Sequence, residues 1–135
     1  VMKAISSTGN RSTEARVEEM LKIADLPQWD KQIAVPGKPD FAWPSLKIAL
    51  FIDGCFWHGC PKHGSWPKTN SLWWKLKIRA NQLRDRDTDR RLSSDGWLVF
   101  RFWEHADPIA AAATIEAAVR NPLRVRGRRQ ASSQP

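Results

Sequence analysis

The chain has 135 residues, enough for one domain with one core. No stretch approaches the roughly 18 apolar residues of a membrane span, and the longest apolar run, Ile48 to Ile52, is strand-sized. Val1-Met2-Lys3 leads into polar sequence, so no signal peptide is expected, and Val1 before Met2 points to a start inside a longer chain. A formal net charge of +8 favours a polyanionic partner, because each Lys or Arg that neutralises a phosphate releases a counterion.

In chain order, Ser12 is expected to cap a helix with Glu14 in its first turn. Val17, Met20, Leu21 and Ala24 would form its apolar face, and Pro27 would stop it. Gln32 to Val35 reads as a short strand and Pro36-Gly37-Lys38-Pro39 as a turn. Asp40 to Trp43 and Lys47 to Ile52 read as two more strands around a Pro44-Ser45 turn. Asp53 to Asn70 is a loop rich in Gly, Pro, His, Cys and Trp, too long to be idle. A long helix should run from Ser71 to about Ser93, with Leu72, Leu76, Ala80 and Leu83 on its apolar face, and end at Asp95-Gly96. Trp97 to Trp103 reads as a strand, and Pro108 opens an Ala-rich helix that runs to Arg120 and stops at Asn121-Pro122. The domain is expected over residues 1–122, with a basic, disordered tail over 123–135. The order αβββαβα predicts an α/β fold, one central mixed sheet flanked by helices.

Two clusters carry chemistry. Cys55-x4-Cys60-x2-His63 places three zinc-type ligands in the long loop, and His105, just after the last strand, is the natural fourth. Four such ligands make a closed structural site that would clip the loop to the sheet. The plain alternative is two reduced cysteines and two surface histidines. His58 is left over for acid–base work. Asp40 begins one strand and Asp53 follows the next, so the two carboxylates should lie close together, and a Mg²⁺ ion would relieve their repulsion while polarising a phosphate. This pattern is similar to the PD-(D/E)xK nuclease core, except that Cys55 stands where that core has Lys.

Residues 36–41, PGKPDF, and 51–61, FIDGCFWHGCP, resemble the very-short-patch mismatch repair (Vsr) endonucleases. Thr13-Glu14, Trp74, Asn81 through Asp85, and Gly96-Trp97 through Trp103-Glu104 extend the resemblance over roughly residues 2–106. The resemblance implies a PD-(D/E)xK restriction-endonuclease-like fold with a structural zinc site. It implies an enzyme that nicks one strand 5′ of the thymine in a T·G mismatch, the product of 5-methylcytosine deamination.

By position, Asp40 matches the Mg²⁺ ligand, and Ile52 would lend its backbone carbonyl to a metal. His58 matches the histidine that handles the attacking water or the phosphate, and Glu14 and Asp85 match acidic residues around the metals. Phe56, Trp57 and Trp74 match an aromatic wedge that enters the base stack, and Cys55, Cys60, His63 and His105 fall at the zinc positions. Asp53 stands where the family has a histidine, and Cys and His are exchanged among the zinc ligands. The implied partner is double-stranded DNA, with mismatch-repair proteins beside it. The implied setting is a monomer in the bacterial cytoplasm, at the nucleoid.

Each residue also has a plain reading: Glu14 as a helix-dipole charge, Asp85 as part of a solvated Arg-Asp-Arg-Asp face, Trp57 and Trp74 as core. Two other functions remain. One is a nuclease of the same fold used for restriction or mobile-element cutting of matched DNA. The other is a zinc-stabilised DNA-binding module without catalysis, which the joint presence of Asp40, His58, Asp85 and Glu14 disfavours.

Overall fold

Every residue of the strand Ile48–Asp53 is buried, because this strand is central and both faces of the sheet are covered. The computed structural model describes residues 8–54 and 71–126. Within them, helix α1 spans Thr8–Ile23, strand β1 Phe41–Trp43, β2 Ile48–Asp53, helix α2 Ser71–Ser94, β3 Leu98–Trp103 and helix α3 Pro108–Arg120. The sheet has the order β1-β2-β3. β1 pairs antiparallel with β2 (Phe41 opposite Leu50), and β2 pairs parallel with β3 (Asp53 opposite Trp103). The antiparallel pair is joined by a tight turn at Pro44 to Lys47, with Lys47 at φ 53. The parallel pair needs the long crossover that contains α2.

Side chains alternate across β2, so its two faces meet different layers. Ile48, Leu50 and Ile52 join Val17 and Leu21 of α1 and Ile115 of α3 in the larger core. Ala49 and Phe51 join Leu92 of α2 and Trp97 in the smaller one. By the same alternation Asp53 lies on the α2 face, and the parallel register brings Arg101 beside Phe51 on that face. Helix α3 starts at Pro108 as expected, and it is capped by Asp107, whose carboxylate accepts from the Ile109 N–H.

Several sequence expectations are corrected. Helix α1 is already helical at Thr8, so Ser12 is not its cap and Glu14 lies beyond the first turn. It ends at Ile23, and the chain turns away at Asp25, whose φ of 56 is left-handed, before Pro27 is reached. Residues 32–35 are not a strand: Gln32 and Lys38 take positive φ, and pairing shrinks to one antiparallel bridge between Asp30 and Ala42. The described sheet therefore has three strands, not four.

Helix α2 turns the opposite face to the one its leucines suggest. Leu72, Leu76 and Leu83 are exposed, whereas Trp74, Ile78, Thr88 and Leu92 are buried. Three buried apolar side chains contribute about 1.5–3 kcal/mol each, and the same face carries Asp85 and Asp89 toward the sheet. Finally, residues 122–126 form a helical turn, although the disordered tail was expected from residue 123. Arg126 there donates to the carbonyls of Gly96 (2.8 Å) and Leu46 (2.7 Å), so its charge staples two turns rather than facing phosphate.

Candidate active site at the end of the sheet

Asp40 sits just before β1, where the antiparallel partner strand offers it a backbone donor. Its Oδ2 accepts from the Ile52 N–H at 2.6 Å, and Oδ1 accepts from Gln32 Nε2 at 3.3 Å. Burial pushes the Asp40 carboxyl up from 3.8 to about 6, the Ile52 N–H opposes this, and the negative charges of Glu14 and Asp53 push it further up. The carboxylates named from the sequence are therefore brought together: Glu14 from α1, Asp40 before β1 and Asp53 at the end of β2. Glu14 also pairs with Lys31, 3.6 Å away, which bridges to Glu18 at 3.1 Å.

Asp53 has a partner that sequence reading missed. Arg101, at the centre of β3, donates from Nη1 to both Asp53 oxygens, at 2.9 and 3.1 Å. Its Nε donates to both oxygens of Asp89, at 2.8 and 3.0 Å, and Asp85 stands 3.9 Å from Nη1. The guanidinium carbon lies 4.1 Å from the centre of the Phe51 ring, a cation–π contact that covers one face of the fork. Asp85 thus approaches Asp53 from α2 through their shared partner Arg101. The available signal was a lone charge inside the apolar run Leu98 to Trp103, with acids spaced along α2.

Ile52 donates its N–H to Asp40, and its side chain is buried in the core. Trp74 is corrected as a wedge ring: it is 8% exposed, packed edge-on against Trp73 at 4.7 Å, and Trp73 is the half-exposed member of the pair. His105 is exposed in the turn after β3. Cys55, Phe56, Trp57, His58, Cys60 and His63 lie outside the described residues. Beside the site, the Thr13 hydroxyl donates to the Glu104 carbonyl, and the Glu104 N–H donates to the Asp53 carbonyl at 2.8 Å, which ties α1 and β3 to the end of β2.

Mg²⁺ takes hard oxygen ligands, commonly one or two carboxylates with water completing the shell. Among the described residues no three or more His, Cys, Asp or Glu form a ready cage. Asp40 nevertheless fits the ion: it is oriented by a backbone N–H, and it carries a charge excess that a cation would relieve. No described helix is long and apolar enough to cross a membrane.

Residues 1–63 match the family model described as DNA mismatch endonuclease Vsr. The chain is similar to the type II nicking enzyme V.NaeI of Lentzea aerocolonigenes, 47% identical over 58% of this chain and 47% of that enzyme. It is similar to the nicking enzyme V.HpaIIP of Haemophilus parainfluenzae, 35% identical over 76% of this chain and 74% of that one. It is also similar to the DNA mismatch endonuclease Vsr of Escherichia coli K12, 34% identical over 78% of this chain and 67% of that protein. The chain thus matches only about half the length of V.NaeI, though about three quarters of V.HpaIIP. The mixed sheet is compatible with these matches, and the chain belongs to the Vsr family of DNA endonucleases.

Proposed function

We propose that this chain nicks one strand of double-stranded DNA 5′ of the thymine in T·G mismatches, by Mg²⁺-dependent hydrolysis of a phosphodiester. The observation that carries the reading is a half-buried carboxylate, oriented by the Ile52 N–H and with its pKa raised to about 6, near further acids in a chain of net charge +8. Acids repel a phosphate backbone, so a polyanion-binding chain gains from placing them together only where a cation intervenes. Asp40 would hold the ion, with Glu14 alongside it and the Ile52 carbonyl as a backbone ligand. The ion, when bound, polarises the scissile phosphate and neutralises the charge that builds on it. His58 moves the proton of the attacking water.

The exposed cations of α2, Lys75 to Arg91, supply affinity that does not depend on sequence. Phe56 and Trp57 form the wedge that unstacks bases beside the mismatch, with Trp73 the ring that α2 exposes next to Trp74. This reading places the fold in the PD-(D/E)xK class. It is further supported by the names of the relatives, one a mismatch endonuclease and others nicking enzymes. The nicking-enzyme names also favour a second reading, a nick at a restriction-type site in matched DNA. The deciding experiment offers matched and T·G duplexes with and without Mg²⁺ and maps the cut. Nicking confined to T·G substrates with Mg²⁺ is expected, and reduced by Trp57→Ala more than nonspecific affinity is. Equal cutting of matched duplexes rejects mismatch specificity.

Zinc is part of the same proposal, held by Cys55, Cys60, His63 and His105. The sheet register supports it: His105 lies two residues past Trp103, and Cys55 two residues past Asp53, the partner of Trp103. Elemental analysis should find about one zinc per chain, the complement of a four-ligand site. Cys60→Ala should lose it and destabilise the fold by several kcal/mol. Zinc-free purified protein excludes this site.

A further inference from the structure

Among the described residues, Arg101 is the cation shared by three acids of the site, Asp53, Asp85 and Asp89, and its geometry goes beyond charge neutralisation. Both carboxylates it binds are gripped through both oxygens, Asp53 by Nη1 and Asp89 by Nε. The side chains of Arg101 and Asp53 are 19% and 11% exposed, so little water competes for these bonds. Phe51 backs the guanidinium and limits its tilt. Sheet and helix are both committed: Asp53 comes from β2, Arg101 from β3, Asp85 and Asp89 from α2. A carboxylate oxygen has few lone pairs, and those spent on a guanidinium are not offered to a divalent ion.

We propose that Arg101 is a positioning residue that keeps Asp53, Asp85 and Asp89 as its own counterions, and so withholds them from divalent cations while Asp40 stays open to one. This rests on the reading of Asp40 as the cation-binding carboxylate, and deepens it by assigning Asp53 to Arg101 rather than to the metal. The rigid planar fork explains why the position holds Arg. A lysine ammonium has no fork and grips carboxylates as a point charge. Removing the cation altogether leaves acids from β2 and α2 facing one another in a half-buried place. Such a group recruits the next available cation.

The test is a gain of binding. Mn²⁺ is titrated into the full chain without DNA, and bound ion is read by electron paramagnetic resonance for wild type, Arg101→Met, Arg101→Lys and Asp40→Asn. Arg101→Met should bind Mn²⁺ at an additional site, with affinity at least about 10-fold above any that wild type shows beyond Asp40, the scale on which residues around a site alter metal affinity. Arg101→Lys should gain less. It retains a buried positive charge, so it serves where circular dichroism shows Arg101→Met to be unfolded. A folded Arg101→Met, or in its place a folded Arg101→Lys, that takes up no more Mn²⁺ than wild type overturns the proposal. Asp40→Asn separates the two ideas. If it lowers Mn²⁺ uptake while the Arg101 variants gain none, the positioning role fails and the Asp40 reading stands. If it binds as wild type does while Arg101→Met gains a site, the Asp40 reading fails and the positioning role stands.

Discussion

Asp40→Asn should abolish nicking and, in the absence of divalent cations, make the protein more stable at neutral pH. The activity loss follows from removing the charge that holds the cation. Several kcal/mol of transition-state stabilisation go with it, and each 1.36 kcal/mol is tenfold, so a loss of about 10³-fold or more is expected. The stability gain follows from the raised pKa. In the unfolded chain Asp40 ionises near its ordinary value of 3.8, and in the fold near 6. Well below pH 3.8 the carboxyl is protonated in both states and costs nothing. Between pH 4 and 6 the unfolded state sheds the proton first, so stability falls as pH rises, levelling off above about 6 at a cost of roughly 3 kcal/mol.

Asparagine keeps the acceptor for the Ile52 N–H without the charge, so the variant should lose this pH-dependent drop. Thermal unfolding at pH 4 and pH 7.5 reads the difference directly. Mg²⁺ should raise the melting temperature of wild type at pH 7.5 and leave Asp40→Asn unmoved. A variant that nicks normally removes Asp40 from the chemistry. One that melts with the same pH dependence as wild type removes the charge conflict.

The same conflict explains which parts of this protein could be read from its sequence. Asp40, Asp53, Glu14 and Asp85 could be singled out because their residue types and order match a nuclease pattern, and the charges of Glu14 and Asp53 do push the Asp40 carboxyl up. The start of α3 at Pro108 was legible because proline at a first helical position is a local signal. Helix α2 was not. Apolar periodicity chose Leu72, Leu76, Ala80 and Leu83, but its sheet-facing side carries Asp85 and Asp89, paired with a half-buried arginine that a count of apolar residues scores against burial. Arg101 itself was hidden because its partners lie 12 and 48 residues away, beyond any local pattern. Gln32 to Val35 was misread as a strand because its composition suits one, whereas its backbone is fixed by a bond from the Gln32 N–H to the Pro39 carbonyl and by left-handed residues. Function-bearing sites are where local rules are expected to fail, since the local cost serves a distant partner.

Gly37→Ala should be among the most damaging single changes outside the core. Gly37 has φ +80, a region where an L-residue costs about 1–2 kcal/mol. An added Cβ would also come within 2.5 Å of Thr88 Cγ2 and 3.1 Å of the Phe51 ring. Thr88 cannot swing away cheaply, because a β-branched side chain in a helix has few rotamers, and it is buried. Forcing extra carbon into a packed site adds about 1–3 kcal/mol, so the total is about 2–5 kcal/mol. The disturbance also reaches the site. Thr88 precedes Asp89 on α2, and Phe51 lies under the Arg101 guanidinium, so a displaced α2 loosens the acids that Arg101 grips.

Two companions isolate the cause. Gly96 also has positive φ, at +88, but a Cβ there meets only the flexible Lys47 side chain at 3.6 Å. Gly96→Ala should therefore cost the backbone share alone, about 1–2 kcal/mol. Thr88→Ser removes the clashing methyl, so the double variant Gly37→Ala/Thr88→Ser should recover part of the loss, a coupling of about 1–2 kcal/mol in a denaturant cycle. If Gly37→Ala proves no worse than Gly96→Ala, or if Thr88→Ser returns nothing, then the close approach of the Pro36-Gly37 turn to α2 does not hold this end of the sheet against the helix.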